Sequence, residues 1–298
     1  MTAAARPPFD VLRNVTRNNI RRDPYPHVVV ENCLPPDVYQ ALAQAYPDDE
    51  TILEGSGARD QYLIRQNHRY DLRAHRILRT PGVVAPEWEA FVRYHVSHEF
   101  FTEFLELLGP EMLEIHPGLE RRLGRPVREW TSGVRFDAEW DTGLIGLDCQ
   151  IGINTPVTRR SATRGVHTDN PDELFAMILY FRREDDDVPG GDLEICRWKD
   201  GVPHRFVGRD VDAADTECCS VVPYKPNTLV IFINSLVSLH AVTPRHRTSL
   251  SRRLVNIVGR VHRSVPEGLF ERPQKTGLKA LAGRYARKAY GRLSRRYF

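Results

Sequence analysis

Residues 174–181 read LFAMILYF, and four other segments share their texture: LIGLDCQIGI (144–153), GDLEICRW (191–198), NTLVIFIN (227–234) and RRLVNIVGRV (252–261). Each is short and rich in apolar and β-branched residues, and turn-rich stretches such as DDDVPGG (185–191) separate them. That spacing suits an all-β sandwich or barrel. The strands do not alternate with helices, which argues against a doubly wound parallel sheet. The expected fold is therefore mostly β, a double-sheet jelly roll with helices packed on its outside.

Upstream of about residue 130 the pattern is helical. YPHVVVENCLPPDVYQALAQAYP (25–47) reads as a short strand over Val28 to Val30 and then a helix, started by Pro35-Pro36-Asp37. From Pro86 to Leu108 apolar residues recur at helical spacing, with Ser97 placed to cap a second helix and Gly109-Pro110 to end it. The expected organisation is one domain over 1–265, with a helix-rich cover over about 1–129 and a jelly-roll core over about 130–265. A basic helical tail follows over 266–298.

The chain has 298 residues, 41% hydrophobic and 27% charged, which is ordinary for a globular protein. No stretch approaches the roughly 20 apolar residues of a membrane span. The start lacks a long apolar core and a small-residue cleavage site, so no secretory signal is expected. The five cysteines are scattered, without zinc spacing, and read as reduced, mostly buried thiols of a cytoplasmic protein. The net charge of +3 is uneven. From Arg260 onward eleven Lys or Arg face two Glu, a net of +9, which leaves the remainder at −6. The tail KTGLKALAGRYARKAYGRLSRRYF (275–298) places Leu278, Leu281, Tyr285 and Ala289 near one helical face. It reads first as packing on the body or on a partner subunit of a homo-oligomer, and second as contact with an anionic membrane surface or polyanion. No specific nucleic acid is expected.

The chemistry concentrates in GVHTDNPDELFAMILYF (165–181). His167 and Asp169 flank one residue, so on an extended chain both point to one face. His240, ending NTLVIFINSLVSLH (227–240), is the second imidazole. Two histidines and a carboxylate occupy one face of an octahedron and leave three positions open, which suits non-haem Fe(II) oxygenases. Such a centre can take a bidentate 2-oxo acid and O₂ together, and the acid's far carboxylate then needs a cation. Arg252 and Arg253 open the strand beyond His240, and a planar guanidinium fits the task. Successive strand residues face opposite sides, so only one of them can face inward. Arg252 is preferred, because Asn256 would then be a second polar group in the pocket. Gln150 and Tyr180 are further candidates for touching the co-substrate, each with a structural alternative. Asn170 reads as a turn residue, His204, His246 and His262 as surface residues, and the acidic run Glu184 to Asp187 as a solvated hairpin loop.

These ordered motifs resemble the Fe(II)/2-oxoglutarate-dependent oxygenases, particularly the prolyl-hydroxylase-like branch. The resemblance covers about 150–261: His-x-Asp at 167–169, LFAMILYF, PGGDLEI, NTLVIFIN, His240 after 73 residues and Arg252 twelve beyond. The opening of 25–42 also looks like the start of many bacterial members. The resemblance implies a double-stranded β-helix (a cupin-like jelly roll). It further implies Fe(II) on His167, Asp169 and His240, and the 2-oxoglutarate C5 carboxylate on Arg252 or Arg253. The expected activity is oxidation of a small-molecule metabolite at a C–H bond by O₂, with release of succinate and CO₂. Desaturation, cyclisation, epimerisation or hydroxylation of a protein side chain are the alternatives within the family, and a non-catalytic metal- or ligand-binding jelly roll is the alternative outside it. Family halogenases replace the carboxylate ligand with a small residue, so Asp169 points to hydroxylation or a related oxidation. The chain departs from the branch where a tyrosine often precedes His-x-Asp, since Gln150 stands on the preceding strand.

Overall fold

A computed structural model describes residues 6–58, 65–137, 144–262 and 268–275. Two facing sheets form the core. The larger joins eight strands: β1 (Ile20–Arg21), β2 (His27–Glu31), β3 (Arg69–Leu72), β4 (Ser132–Val134), β5 (Ile145–Asn154), β6 (Glu173–Tyr180), β9 (Thr228–Ile233) and β11 (Arg252–Val261). Their order is β1-β2-β9-β6-β11-β5-β3, with β4 beside β5. The smaller sheet is β10 (Leu239–Val242), β7 (Leu193–Trp198) and β8 (Thr216–Val222), in that order. This is a jelly roll with helices outside it.

Side-chain alternation decides which face each strand gives to the pocket. On β5 the odd positions Ile145, Leu147, Cys149, Ile151 and Ile153 join the main apolar core. The even positions Asp148, Gln150, Gly152 and Asn154 turn the other way. Val255 and Ile257 of β11 likewise pack into the main core, whereas Leu254 and Val258 belong to the cluster between the sheets. At Gly152 strand β3 comes close, and a Cβ there would make the Asp71 carboxylate shift and would press on the Tyr70 carbonyl at 3.3 Å.

The helices α1 (Pro36–Gln44), α2 (Asp49–Gly55), α3 (Ala74–Arg79), α4 (Pro86–His95), α5 (His98–Ile115) and α6 (Leu119–Leu123) precede the core strands. Trp88, Phe91, Phe101, Phe104 and Leu108 from α4 and α5 are buried in the main core. Ser97 caps α5, its hydroxyl accepting from the Phe100 N–H at 3.2 Å. The expected stop at Gly109-Pro110 does not occur, and α5 runs through Pro110 to Ile115. The last turn stays wound because Met112 is buried and the Glu111 carboxylate receives Arg17 and Arg22, both at 2.7 Å.

Two further expectations need correction. The N-terminal part is not only a cover, since β2 pairs with β9 and β3 pairs with β5 within the large sheet. The acidic run at 184–187 is not wholly solvated either. Asp186 is buried and binds the equally buried Arg245 at 2.6 Å, which ties the loop to the segment after β10. All five cysteines are free, and Cys33, Cys149 and Cys196 are buried while Cys218 is exposed. The tail's apolar face, from Leu278 on, lies outside the described residues. No helix among the described residues is long and apolar enough to cross a membrane.

Candidate metal centre and cavity

His167 sits just before β6 and His240 on β10, and their backbones exchange hydrogen bonds of 3.0 Å in both directions. That pairing places the two rings side by side, with centroids 4.3 Å apart. Asp169 bridges them, its two carboxylate oxygens lying 3.9 Å from Nε2 of His167 and 3.8 Å from Nε2 of His240. One ligand atom from each of the three residues falls within 4.8 Å of the others.

The ring orientation is set by backbone. Nδ1 of His167 donates to the Gly165 carbonyl at 2.9 Å, and Nδ1 of His240 to the Ser238 carbonyl at 3.1 Å. With the proton held on Nδ1, each Nε2 keeps a free lone pair, which is the tautomer a metal requires. Burial, with His240 and Arg164 nearby, holds His167 well below the ordinary histidine range, so its imidazole is neutral. Arg272 fixes the intervening loop by donating to Thr168 Oγ1 at 2.9 Å and to the Asp169 carbonyl.

The three residues line a cavity of about 450 Å³ between the sheets. Arg252, Leu254, Asn256, Val258 and Arg260 present the inner face of β11 to it. Arg253 does not reach the cavity; it points to the opposite face, over the Tyr46 ring at 5.0 Å. Arg252 is buried, and its Nε donates to the Gly191 carbonyl at 2.8 Å while Nη1 donates to Asn154 Oδ1 at 3.2 Å. Its guanidinium lies over Tyr180 at 4.9 Å and Tyr224 at 4.7 Å. Gly191 has φ +86°, so the glycine pair of DDDVPGG shapes the socket that receives the arginine. No carboxylate among the described residues forms an ion pair with Arg252. Beside it, Asn154 Nδ2 and the Tyr180 hydroxyl are buried without a hydrogen bond of normal geometry.

Gln150 and Asn256 both line the cavity and bond to each other, Asn256 Nδ2 donating to Gln150 Oε1 at 3.3 Å, while Gln150 Nε2 donates to Asp148 Oδ2 at 2.7 Å. Asn170 combines its turn with a place at the cavity wall, where its side chain links Glu173 and Arg209. Sequence reasoning missed Arg73, Arg164, Arg209 and the Glu173–Arg260 pair, all of which line the cavity. They come from loops and edges that only the folded topology brings together, and no spacing in the chain marks them.

No family model matches the chain, and no curated protein sequence does. Solved structures similar to it include a Pseudomonas putida prolyl-4-hydroxylase (16% identity, 79% of this chain and 92% of that one, TM-score 0.40). A Phytophthora capsici prolyl 4-hydroxylase is similar at 17% identity over 99% and 78% of the two chains, with a TM-score of 0.44. A protein described as an oxygenase from Shewanella oneidensis is similar at 15% identity over 88% and 90%, with a TM-score of 0.46.

Proposed function

We propose that the chain is an Fe(II)- and 2-oxoglutarate-dependent dioxygenase that oxidises a C–H bond of a small molecule, with hydroxylation the principal outcome. The observation that carries this reading is the pairing, in one cavity, of a two-histidine, one-carboxylate cluster with a buried arginine that has no carboxylate partner among the described residues.

The donor set fits Fe(II). Two imidazoles and one carboxylate satisfy half of an octahedron, and a structural zinc site would draw four ligands. The Arg252 surroundings fit the distal carboxylate of 2-oxoglutarate. The guanidinium supplies the charge, and beside it the Asn154 amide and the Tyr180 hydroxyl are buried donors without a hydrogen bond of normal geometry. A metal-binding jelly roll without catalysis has no use for such a socket, which favours the enzyme reading. When bound, the iron and 2-oxoglutarate supply the O₂-driven oxidation, with succinate and CO₂ released.

The protein's own share is orientation. The Gly165 and Ser238 carbonyls hold the rings, Arg272 holds the Asp169 loop, and Arg252 sets the direction of the co-substrate. Leu193, Leu254 and Val258 add an apolar patch to a cavity wall that is otherwise mostly polar. Succinate formation from 2-oxoglutarate under air, measured with added Fe(II), tests the proposal. The wild type is expected to form succinate and Asp169→Ala to lose it; equal rates in the two would end the reading.

A further inference from the structure

The cavity is more cationic than a metal and its co-substrate require. Seven arginines line it, against Asp71, Asp169 and Glu173. Three of the seven are compensated: Arg69 binds Asp71 at 2.7 Å, Arg260 binds Asp172 and Glu173, and Arg135 stands 3.8 Å from Asp148. Arg73, Arg164, Arg209 and Arg252 have no ion-pair partner among the described residues.

Resting on the cofactor reading above, the charges can be followed through. Asp169 and a divalent metal leave one positive charge, 2-oxoglutarate brings two negative ones, and Arg252 restores neutrality. Arg73, Arg164 and Arg209 are then three guanidiniums on the cavity wall without an ion-pair partner among the described residues, although Asp169, Asp210 and Glu173 lie near enough to Arg164 to favour its charge. Like charges in a partly desolvated space repel, and an anion seated among them would relieve that repulsion.

Their placement is specific. The Arg164 backbone carbonyl accepts from Val242 N–H at 3.3 Å, beside the strand that carries His240. Arg209 Nη1 donates to Asn170 Oδ1 at 2.7 Å, next to Asp169. The two guanidiniums thus flank the metal ligands, and the Arg164 side chain makes no hydrogen bond to another described residue. Burial and then the charge of Arg209 press Arg164 below the ordinary arginine range, against the opposing pull of Asp169, Asp210 and Glu173, so the two guanidiniums are close enough to feel each other. Arg73 approaches from the end of β3, its guanidinium 5.3 Å over the Phe136 ring.

We propose that the substrate is a small organic anion, a carboxylate or a phosphate ester, whose acidic group is clamped by Arg164 and Arg209 beside the metal site, with Arg73 on the facing edge. A planar guanidinium meets either group with two parallel hydrogen bonds. The reacting C–H would then lie within a few bonds of the acid, held there by the clamp.

Calorimetric titration of the full chain under anaerobic conditions, with Fe(II) and saturating 2-oxoglutarate, tests this with three probes: malonate, inorganic phosphate and neutral malonamide. Malonate or phosphate is expected to bind, malonamide not to, and Arg164→Gln or Arg209→Gln to weaken the anion roughly tenfold or more. Preference for malonate assigns a carboxylate substrate, and preference for phosphate a phosphate ester. Because the Arg164 side chain holds no other residue, Arg164→Gln should fold, which circular dichroism checks, and Arg164→Lys should restore part of the affinity. Anion binding unaffected by both glutamine variants, or absent from the wild type, overturns the proposal. The two readings fail separately. Loss of 2-oxoglutarate binding with Arg164-dependent anion binding intact would sink the cofactor assignment alone. Arg252-dependent 2-oxoglutarate binding with anions indifferent to Arg164 would sink the substrate class alone.

Discussion

At the scale of single residues, the candidate centre depends on backbone carbonyls that choose a tautomer and on one strand position that chooses an arginine. Alternation along β11 puts Arg252 in the cavity and Arg253 over Tyr46. Arg252→Lys should therefore weaken 2-oxoglutarate roughly tenfold, because a point charge replaces a two-pronged donor. Arg253→Gln should leave the affinity unchanged, and equilibrium titration of both variants checks the contrast. A second residue-scale prediction concerns Asp10, far from the cavity. Burial, and next the neighbouring Glu103 carboxylate against an opposing backbone N–H from Leu12, push its pKa from 3.8 up to about 7. An acid raised in the folded state favours folding while protonated, so its contribution is full below about pH 4 and is lost as pH rises towards 7. Asp10→Asn should remove that slope and exceed the wild type in stability by about 1–3 kcal/mol above pH 7, with the two converging in acid. Denaturant titrations across pH measure the difference; a wild type that gains on the variant as pH rises would contradict it.

At the scale of elements, the strands were the most legible part, because apolar and β-branched runs bounded by glycine and acidic turns admit few other readings. The His-x-Asp spacing and the distant His240 could likewise be read from the chain, since period-two geometry and strand ends follow from sequence. What could not be read was compensation from elsewhere. Gly109-Pro110 looks like a helix stop, yet α5 continues because Met112 is buried and Glu111 is anchored by Arg17 and Arg22, about ninety residues away. Glu111→Ala should cost about 1–2 kcal/mol, kept modest because both arginines are about half exposed. Chemical denaturation reads the loss, and no change would show that the last turn is held by apolar packing alone. The solvated-loop reading of 184–187 holds for Glu184, Asp185 and Asp187 and misses only Asp186, for a related reason: its buried partner is Arg245, on a segment no local pattern connects to it.

On the scale of the whole molecule, an apolar outer face of the large sheet carries the helices, and a polar stretch of its inner face opens towards the smaller sheet. The inner positions of β5 (Asp148, Gln150, Gly152, Asn154) are what turn a packed jelly roll into one with a cavity. Edge strand β3 and the loops around Arg164 and Arg209 then supply its charge. These contributions come from more than 130 residues of chain, which is why the candidate His-Asp-His cluster could be picked out in sequence and the cationic wall could not. On the proposed function, His167, Asp169 and His240 would hold one Fe(II) with open positions for 2-oxoglutarate. Anaerobic titration of the full chain with Fe(II), followed by addition of 2-oxoglutarate, measures this directly. One equivalent of iron per chain and a weak visible absorption band that appears only with 2-oxoglutarate are expected, both lost in His240→Ala. Iron uptake and band unchanged in that variant, or no iron taken up by the wild type, would contradict the assignment.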